Sequence, residues 1–420
     1  MTEYKLNRLE TTKLIRPMVD KHWADLRQAK ERGEKVAWCS GPMFAFPYAM
    51  GMKCHFMAGY AAYAGGVGAA DRLLEIAEQE GDLIDTCSYH KLHMGMAAAV
   101  KKGLPVREDV ILPMPDLMIT GRLCPEMSHY AEGLYRRMQI RVLGIDSPPP
   151  AKPSDIPAIE NFCEQQIRET LIPTLEEICG KPFDYDRLSE ILRILKETVM
   201  IRNECWEYFK QIPSPWTLWD YGVSIAPVFY MMGSPEAVPY YQKLKAELAD
   251  RAEKKIGAIL PKEKFRIYWD GWLPWAFLGK FSRKMTSLGI VPIVGRYPWE
   301  FFPHPETIEP EPDPVKCFVQ QVYSNGGLAR QSLPTIALPI IHGWLEEYKI
   351  DGAIMFSSKT CRAWNLGHPD FIDAIEKKNG IPGVVIDGDM VDSRMVSDAQ
   401  IETRLEALAE MMAARKKDKF

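Results

Sequence analysis

The chain has 420 residues, of which 46% are hydrophobic, and a mean hydropathy of -0.21. This length exceeds one ordinary hydrophobic core and predicts two or three domains. Its 52 basic and 56 acidic residues leave a net charge of -4, which excludes a broadly basic surface for nucleic acid or an anionic membrane. No apolar run approaches the roughly 20 residues of a membrane helix, and no secretory signal opens the chain, so we expect a cytoplasmic protein.

The first 150 residues alternate strand-like and helix-like patterns, which is typical of an α/β domain with a mostly parallel sheet. In chain order, the predicted elements are a helix at 9–32, a strand at 35–41, a helix at 57–80, a strand at 82–86, a helix at 92–102 and a strand at 110–120. The proline-rich segment 147–153 then marks a domain boundary.

Long amphipathic helices follow, and the α/β pattern returns from residue 265. The predicted middle helices are 156–179, 186–211 and 234–259, the last with Ser234 as N-cap and Pro235 at the first helical position. Later strands are predicted at 265–269, 289–294, 352–356 and 383–386, with helices at 315–323, 368–378 and from 397 onward. We therefore predict a first α/β domain (1–150), a mainly helical segment (151–260) and a second α/β domain (261–420), the two sheets facing across a cleft.

Three of the nine cysteines follow strand-like runs: Cys87, Cys124 and Cys361. Ligands of open α/β sheets bind beyond the carboxyl ends of the strands, and thiolates are the usual ligands of iron–sulfur clusters. The three lack the C-x₂-C spacing of small ferredoxins and most zinc sites, so buried structural cysteine stays open as the alternative. The other cysteines are interpreted as packing residues: Cys39, Cys54, Cys163, Cys179, Cys205 and Cys317.

These three cysteines, together with the segment DGDMVDSR at 387–394, resemble the family of 2-hydroxyacyl-CoA dehydratase and ATP-dependent benzoyl-CoA reductase subunits. The resemblance runs from residue 36 to the last helix. It implies two Rossmann-like domains with a 4Fe-4S cluster between them. By position, Cys87, Cys124 and Cys361 would be the ligands, and the fourth iron would be left to water, substrate or another group.

Within that family, residues 87–93 and 357–364 look most like the larger catalytic subunit of benzoyl-CoA reductase. This likeness implies dearomatising reduction of an aromatic acyl-CoA to a cyclic diene acyl-CoA. It also implies a smaller homologous partner subunit and ATP-hydrolysing activator subunits that receive electrons from ferredoxin. Two alternatives stay open: a 2-hydroxyacyl-CoA dehydratase subunit, and an electron carrier whose homologous partner holds the active site.

Further site residues are expected beside the cysteines. His90 and Tyr89, with His93 nearby, are candidates for proton transfer, since histidine titrates near neutral pH. By the resemblance, Ser40 lies in a loop that approaches the substrate in dehydratases, and Trp364 is a candidate wall for a planar ring. Other candidate ring-wall residues are Trp269, Trp272 and Trp275, and hydroxyls that could tune a cluster are Ser88, Ser357, Ser358 and Thr360. Helix capping and ordinary packing are the alternatives for all of them.

The sequence lacks the common nucleotide-binding motifs. The chain contains neither the G-x₄-G-K-[ST] string of a P-loop nor the G-x-G-x-x-G dinucleotide fingerprint. The stretch 65–68 mimics the latter only weakly, because it lacks the strand–turn–helix setting. We therefore expect neither ATP nor NAD on this chain, and we expect its electrons to come from a partner protein.

Overall fold

The computed structural model describes residues 3–121, 124–148, 152–299, 304–324 and 334–418. Within these ranges the chain is an α/β protein with two four-stranded sheets, and every strand pair in both sheets is parallel. The predicted pair of Rossmann-like parallel-sheet domains is therefore confirmed. No helix in these ranges combines the length and apolarity that crossing a bilayer requires.

The strands are short, and most of their residues are buried. In chain order they are β1 (Lys5–Leu6), β2 (Val36–Cys39), β3 (Lys53–Phe56), β4 (Leu117–Gly121), β5 (Val142–Ile145), β6 (Ile259–Leu260), β7 (Phe265–Asp270), β8 (Ile290–Val294), β9 (Gly352–Ser358) and β10 (Gly383–Gly388). The first sheet has the order β3-β2-β4-β5, and the second has the order β10-β9-β7-β8. A small antiparallel pair, β1 with β6, joins the start of the chain to the second half.

Helices cover both sheets and fill the segment between them. They are α1 (Ile15–Gln28), α2 (Ala45–Ala49), α3 (Met57–Gly66), α4 (Ala70–Gln79), α5 (Ser88–Lys102), α6 (Pro125–Met138), α7 (Ile156–Gln166), α8 (Ile172–Cys179), α9 (Tyr185–Trp206), α10 (Leu218–Val223), α11 (Ala226–Tyr230), α12 (Ala237–Glu253), α13 (Leu278–Ser287), α14 (Arg296–Trp299), α15 (Pro314–Val319), α16 (Pro334–Glu347), α17 (Arg362–Asn365), α18 (His368–Asn379) and α19 (Asp398–Asp418).

One hydrophobic core runs through both sheets and the helices between them. The apolar stripe predicted on α9 lies in this core, with Leu188, Ile191 and Val199 all fully buried. Central strands β2 and β4 are buried on both faces, as expected for parallel sheets under two helical layers. The proposed domain boundaries at residues 150 and 260 stay predictions, because this shared core does not divide at either position.

The strand predicted at 82–86 is wrong. These residues form a loop in which Leu83 is 68% and Ile84 is 57% exposed. A strand of a parallel sheet is buried on both faces, so side chains this exposed cannot belong to one. The loop leads directly into α5, and Cys87 therefore follows a loop. The cysteines at 124 and 361 do follow strands, namely β4 and β9.

Several predicted boundaries also differ from the structure. The helix predicted at 57–80 is divided into α3 and α4 by Gly68, whose φ of 70° is left-handed. The helix predicted from Ser234 begins at Ala237, since the Ser234 hydroxyl accepts from the Glu236 N–H (3.3 Å) in a turn before the helix. The helix predicted at 9–32 is confirmed only over α1. The strand predicted at 110–120 corresponds only to β4. Strands β3 and β5 were not predicted from the sequence.

Candidate functional site

Each of the three cysteines occupies the residue just before a helix. Cys87 precedes α5, Cys124 precedes α6 and Cys361 precedes α17. Burial raises the pKa of each thiol, and nearby backbone N–H groups of those first turns partly offset this rise. Sulfur at a helix N-terminus meets unpaired N–H groups and the positive end of the helix dipole, which favour the thiolate. At all three cysteines the effect of burial is the larger one, so the thiols are protonated without a bound cation.

All three thiols are half-buried, and the loops of Cys87 and Cys361 meet where Ser88 contacts Thr360 (3.2 Å); we call the surroundings of the three thiols the thiol pocket. Burial raises the pKa of Cys87 well above its ordinary value, and the thiol of Cys361 and then that of Cys124 raise it further. Burial likewise raises the pKa of Cys361 to about 11, with a smaller contribution from Cys124. Three thiolates here would require a bound positive charge.

The chemistry of the donor set bears on the group that fits. Within the described ranges, no three His, Cys, Asp or Glu side chains are placed to hold a single metal ion. Three thiols are the donor type that holds iron–sulfur clusters, so the residues present are compatible with such a group in their chemistry. The 4Fe-4S cluster stays a prediction.

Trp272 contacts the thiol pocket most directly. Its indole N–H donates to the Cys361 Sγ (3.3 Å), and its ring packs against Tyr89 (centroids 5.3 Å apart) and Tyr297 (4.6 Å). Trp364 packs behind it (5.8 Å) and donates its own N–H to the Asp270 carboxylate (2.7 Å). Of the predicted tryptophans, Trp272 is therefore the one against sulfur, whereas Trp364 holds the loop of Cys361 onto the second sheet.

Tyr89 and His90 lie in the first turn of α5, directly after the thiol of Cys87. The Tyr89 hydroxyl accepts from the Trp275 indole N–H (2.5 Å), and burial raises its pKa well above the ordinary value. The His90 ring stacks on Tyr130 (4.3 Å, 7°), and burial lowers its pKa to about 4. His90 is therefore a neutral imidazole at pH 7. It can relay a proton but carries none in excess.

A pair of buried histidines lies beside this turn. His93 Nδ1 is 3.1 Å from the Tyr89 carbonyl oxygen, so it carries the proton and donates. His93 Nε2 must then accept, and the proton for its 2.8 Å contact with His55 Nε2 comes from His55. Burial lowers the pKa of His93 to about 3 and, with His93 itself, holds that of His55 well below its ordinary value. His55 has no sequence signal that would have indicated this role.

Ser40 lies directly after β2, at its carboxyl end, and its contact with substrate stays a prediction. Its Oγ accepts from the Gly121 N–H (2.9 Å) and lies 3.3 Å from Thr120 Oγ1. Both partners end β4, the strand that leads toward Cys124. The structure thus places Ser40 on the same sheet edge as one of the three cysteines.

A cavity of about 400 Å³ lies next to the aromatic cluster, and the sequence patterns did not predict it. Its aromatic lining consists of Phe56, Tyr63, Phe229, Tyr230, Trp275 and Tyr297. Tyr297 contacts Trp272, and Trp272 contacts the Cys361 thiol, so two rings separate the cavity from sulfur. Its volume is within the ~300–1,000 Å³ range of small-molecule sites. The abundance of aromatic residues in the sequence is compatible with an aromatic-lined cavity, but it does not indicate where in the chain the cavity lies.

The fold and this site define the class of the protein: a chain of two parallel-sheet halves with three half-buried cysteines, each of which directly precedes a helix. A profile of the family described as 2-hydroxyglutaryl-CoA dehydratase, D-component, matches residues 45–412, and the chain belongs to this family. The predicted family resemblance is therefore confirmed. The family includes enzyme subunits that act on CoA thioesters.

Individual relatives cover most of the chain. It is 28% identical over 403 residues to the alpha subunit of lactoyl-CoA dehydratase from Anaerotignum propionicum, covering 93% of both chains. It is 26% identical over 394 residues to the (R)-phenyllactyl-CoA dehydratase alpha subunit of Clostridium sporogenes, covering 93% of this chain and 92% of the relative. It is 27% identical over 350 residues to a benzoyl-CoA reductase subunit of Thauera aromatica, covering 80% and 78%. Similarity at this level extends to both dehydratases and a reductase.

Proposed function

We propose that this chain is the catalytic subunit of a benzoyl-CoA reductase that holds a 4Fe-4S cluster on Cys87, Cys124 and Cys361. The observation that carries the proposal is the contact of Ser88 with Thr360 (3.2 Å), which brings together the loops of Cys87 and Cys361 from the two α/β halves. A cavity with aromatic side chains lies two rings from the Cys361 thiol. Thiolates are the ligands of such clusters, and aromatic side chains suit a planar acyl group. When bound, the cluster supplies single electrons at low potential.

The chain's own residues supply the surroundings for that chemistry. Trp272 donates a hydrogen bond to the Cys361 sulfur, and backbone N–H groups at three helix N-termini oppose the rise that burial causes in the pKa of the thiols. Hydrogen bonds to sulfur and limited solvent access are the means by which proteins tune such sites. The rings of Tyr89, Trp272 and Tyr297 restrict water between the cavity and the thiols. We propose that His90, which is half-buried and neutral because its pKa is lowered to about 4, passes a proton from the neighbouring turn.

Further components are proposed to complete the enzyme. The family resemblance favours a smaller homologous partner subunit and ATP-hydrolysing activator subunits supplied by ferredoxin. The absence of a P-loop from the sequence supports ATP binding on those other subunits. We also retain the proposed cytoplasmic location.

A 2-hydroxyacyl-CoA dehydratase subunit is the second candidate. The comparisons favour it, since the dehydratase alpha subunit of Anaerotignum propionicum is 28% identical across 93% of this chain, whereas the reductase subunit is 27% identical across 80%. Both reactions begin with an electron delivered to an acyl-CoA. They differ in outcome, because a dehydratase recovers that electron and a reductase consumes it.

Iron content tests the ligand assignment. We expect the anaerobically purified wild-type chain to carry about four irons, as one 4Fe-4S cluster requires. Cys361→Ser should lose most of this iron and the cluster's visible absorption. Cys179→Ser, a half-buried cysteine on α8, is the matched control and should keep both. Full iron in Cys361→Ser would contradict the assignment.

Substrate turnover separates the candidates. The complex reconstituted with its partner subunits would be given benzoyl-CoA or (R)-lactoyl-CoA, with a measured supply of reductant. Ring reduction with stoichiometric consumption of electrons supports the reductase. Dehydration with catalytic amounts of reductant supports the dehydratase instead. A structure with acyl-CoA bound far from Cys361 would favour the electron-carrier alternative over both.

A further inference from the structure

Asp389 is a fully buried carboxylate in the segment 387–394, and it has no role in the chemistry proposed for the thiol pocket. Four donors surround it: the N–H groups of Val391 and Asp392 reach Oδ1 (both 3.0 Å), and the hydroxyls of Ser358 (3.1 Å) and Thr360 (2.5 Å) reach Oδ2. Four donors and no acceptor match the four lone-pair sites of an ionised carboxylate. In the part of the chain that the structure describes, no Lys or Arg forms an ion pair with it.

A neighbouring carboxylate shows that this arrangement is not general to the segment. Asp392 is equally buried, but it pairs with Arg394 (2.8 Å), which also contacts Glu78 (2.7 Å). Isolated buried charges are costly and are usually paired. Asp389 therefore differs from Asp392, because hydrogen-bond donors surround it and no cationic side chain among the described residues pairs with it. The residues that supply those donors indicate its role.

The Thr360 hydroxyl connects Asp389, in the second half, to Ser88, in the first half. It has one hydrogen, which goes to Asp389 because that carboxylate can only accept. Its two lone pairs then receive the N–H and the hydroxyl of Ser88, both 3.2 Å away. Ser88 is the first residue of α5, and the first N–H groups of a helix have no partner within the helix. Thr360 is therefore the partner that Ser88 requires.

This chain of contacts links two of the three thiol-bearing loops. Ser88 follows Cys87 and belongs to the first half, whereas Thr360 precedes Cys361 and belongs to the second. The two residues are 272 positions apart in the sequence. Asp389 fixes the Thr360 hydroxyl, and that hydroxyl fixes the start of α5. The distance between the two thiols is thereby constrained from one side by a buried carboxylate.

The carboxylate of Asp389 also lies close to this pocket. Its Oδ2 is 2.5 Å from the hydroxyl of Thr360, the residue directly before Cys361. A negative charge in a poorly solvated interior disfavours the arrival of a further electron nearby. Local charge and hydrogen bonding are among the determinants of cluster reduction potential.

We propose that Asp389 is a positioning residue that sets the separation of Cys87 and Cys361 through Thr360 and Ser88, and whose charge lowers the reduction potential of the redox centre held there. The effect on the potential rests on the proposed function. The positioning does not, because it is argued from contacts among protein groups alone.

Hydrogen exchange of the metal-free chain tests the positioning. Thr360→Val removes the acceptor of the Ser88 N–H, and we expect that amide to exchange about tenfold faster, the equivalent of one hydrogen bond. Thr360→Ser keeps the hydroxyl and should retain wild-type protection. Ser358→Ala is the matched control, since Ser358 contacts Asp389 but does not contact Ser88. Equal Ser88 exchange in the wild type and Thr360→Val would overturn the proposal.

A redox titration of the iron-loaded chain, followed by electron paramagnetic resonance, tests the charge. Asp389→Asn keeps the shape of the side chain and should move the midpoint potential to more positive values, whereas Thr360→Ser should leave it unchanged. An unchanged midpoint in a fully loaded Asp389→Asn protein would overturn the charge effect. A wild-type chain that binds no iron would overturn the proposed function and the charge effect together, and the exchange experiment would still decide the positioning.

Discussion

In the first α/β half a pair of buried imidazoles lies beside the sheet. His55 and His93 share a hydrogen bond of 2.8 Å, and His93 also donates to the Tyr89 carbonyl (3.1 Å). Burial keeps them neutral, because it lowers the pKa of His93 to about 3 and holds that of His55 well below its ordinary value. The pair is bonded without charge, although His55 Nδ1 has no hydrogen-bond partner among the described residues.

The second half instead encloses a charged group at the end of β7. The Asp270 carboxylate accepts from Arg296 through both oxygens (2.7 and 3.0 Å) and from the Trp364 indole (2.7 Å), and the Tyr268 hydroxyl donates to it as well. Burial opposes ionisation, but Arg296 and then His368 hold the pKa of Asp270 well below its ordinary value. The Arg296 guanidinium also stacks over Trp364 (4.8 Å).

The buried histidine pair of the first half and the buried ion pair of the second half are therefore disrupted under different conditions. A neutral imidazole network is disrupted when acid protonates it, whereas an ion pair is disrupted when one partner is removed. Both networks reach a thiol loop, the first through the turn after Cys87 and the second through Trp364 near Cys361. Perturbing each half separately should thus show how the pocket depends on it.

Removing the charge at Asp270 should have the largest effect. Asp270→Asn removes the buried carboxylate that forms an ion pair with Arg296, which we expect to cost about 3–5 kcal/mol of the free energy of unfolding. Urea denaturation followed by tryptophan fluorescence measures this. The control is Glu309→Gln, whose exposed pair with Lys196 (2.5 Å) should contribute about 0–1 kcal/mol. Equal losses in the two variants would contradict the role of the buried pair.

The second largest effect should be a loss of stability in acid, caused by the buried histidines of the first half. A histidine pKa lowered in the folded chain means that, below about pH 6.5, the unfolded chain binds protons that the folded chain does not. Stability is therefore full above pH 6.5 and falls toward pH 4, by about 1.4 kcal/mol per pH unit for each histidine. The lowered pKa of Asp270 acts in a different pH range, since its contribution is lost only below about pH 3.8.

Melting temperatures measured from pH 7.5 to 4.5 would show this slope. His93→Phe should reduce it by the contribution of one histidine, and His129→Gln, which changes an exposed residue, should leave it unaltered. If His93→Phe melts with the wild-type slope, the buried histidine pair is not the source of acid sensitivity.

The smallest expected effect concerns the contact between Trp272 and sulfur. Trp272→Phe keeps a ring but removes the N–H that lowers the pKa of Cys361, so that pKa should rise further above about 11. In the metal-free chain at pH 8, we expect Cys361 to be alkylated about tenfold more slowly, as for loss of one hydrogen bond to a charged acceptor. Mass spectrometry of the alkylated peptide measures the rate. Trp219→Phe, whose buried indole N–H has no partner among the described residues, is the control.

The strands of the second half were predictable almost to the residue, because β7 to β10 are apolar runs bounded by glycine or polar turns. The first sheet was harder. Its two edge strands, β3 and β5, have four residues each and include Lys53 and Gly144, so neither presents a continuous apolar run. The apolar residues Leu83 and Ile84 imitate a strand but lie exposed in a loop.

The sequence alone determined the α/β class, the helical segment between the sheets and the three cysteines of interest, because periodicity and turn residues are local and the family pattern is written in residue identities. The tertiary structure alone decided which side chains surround those cysteines. Trp272 reaches the Cys361 sulfur across 89 positions, and Thr360 reaches Ser88 across 272. Contacts at such separations depend on how two sheets pack, and no local pattern encodes that.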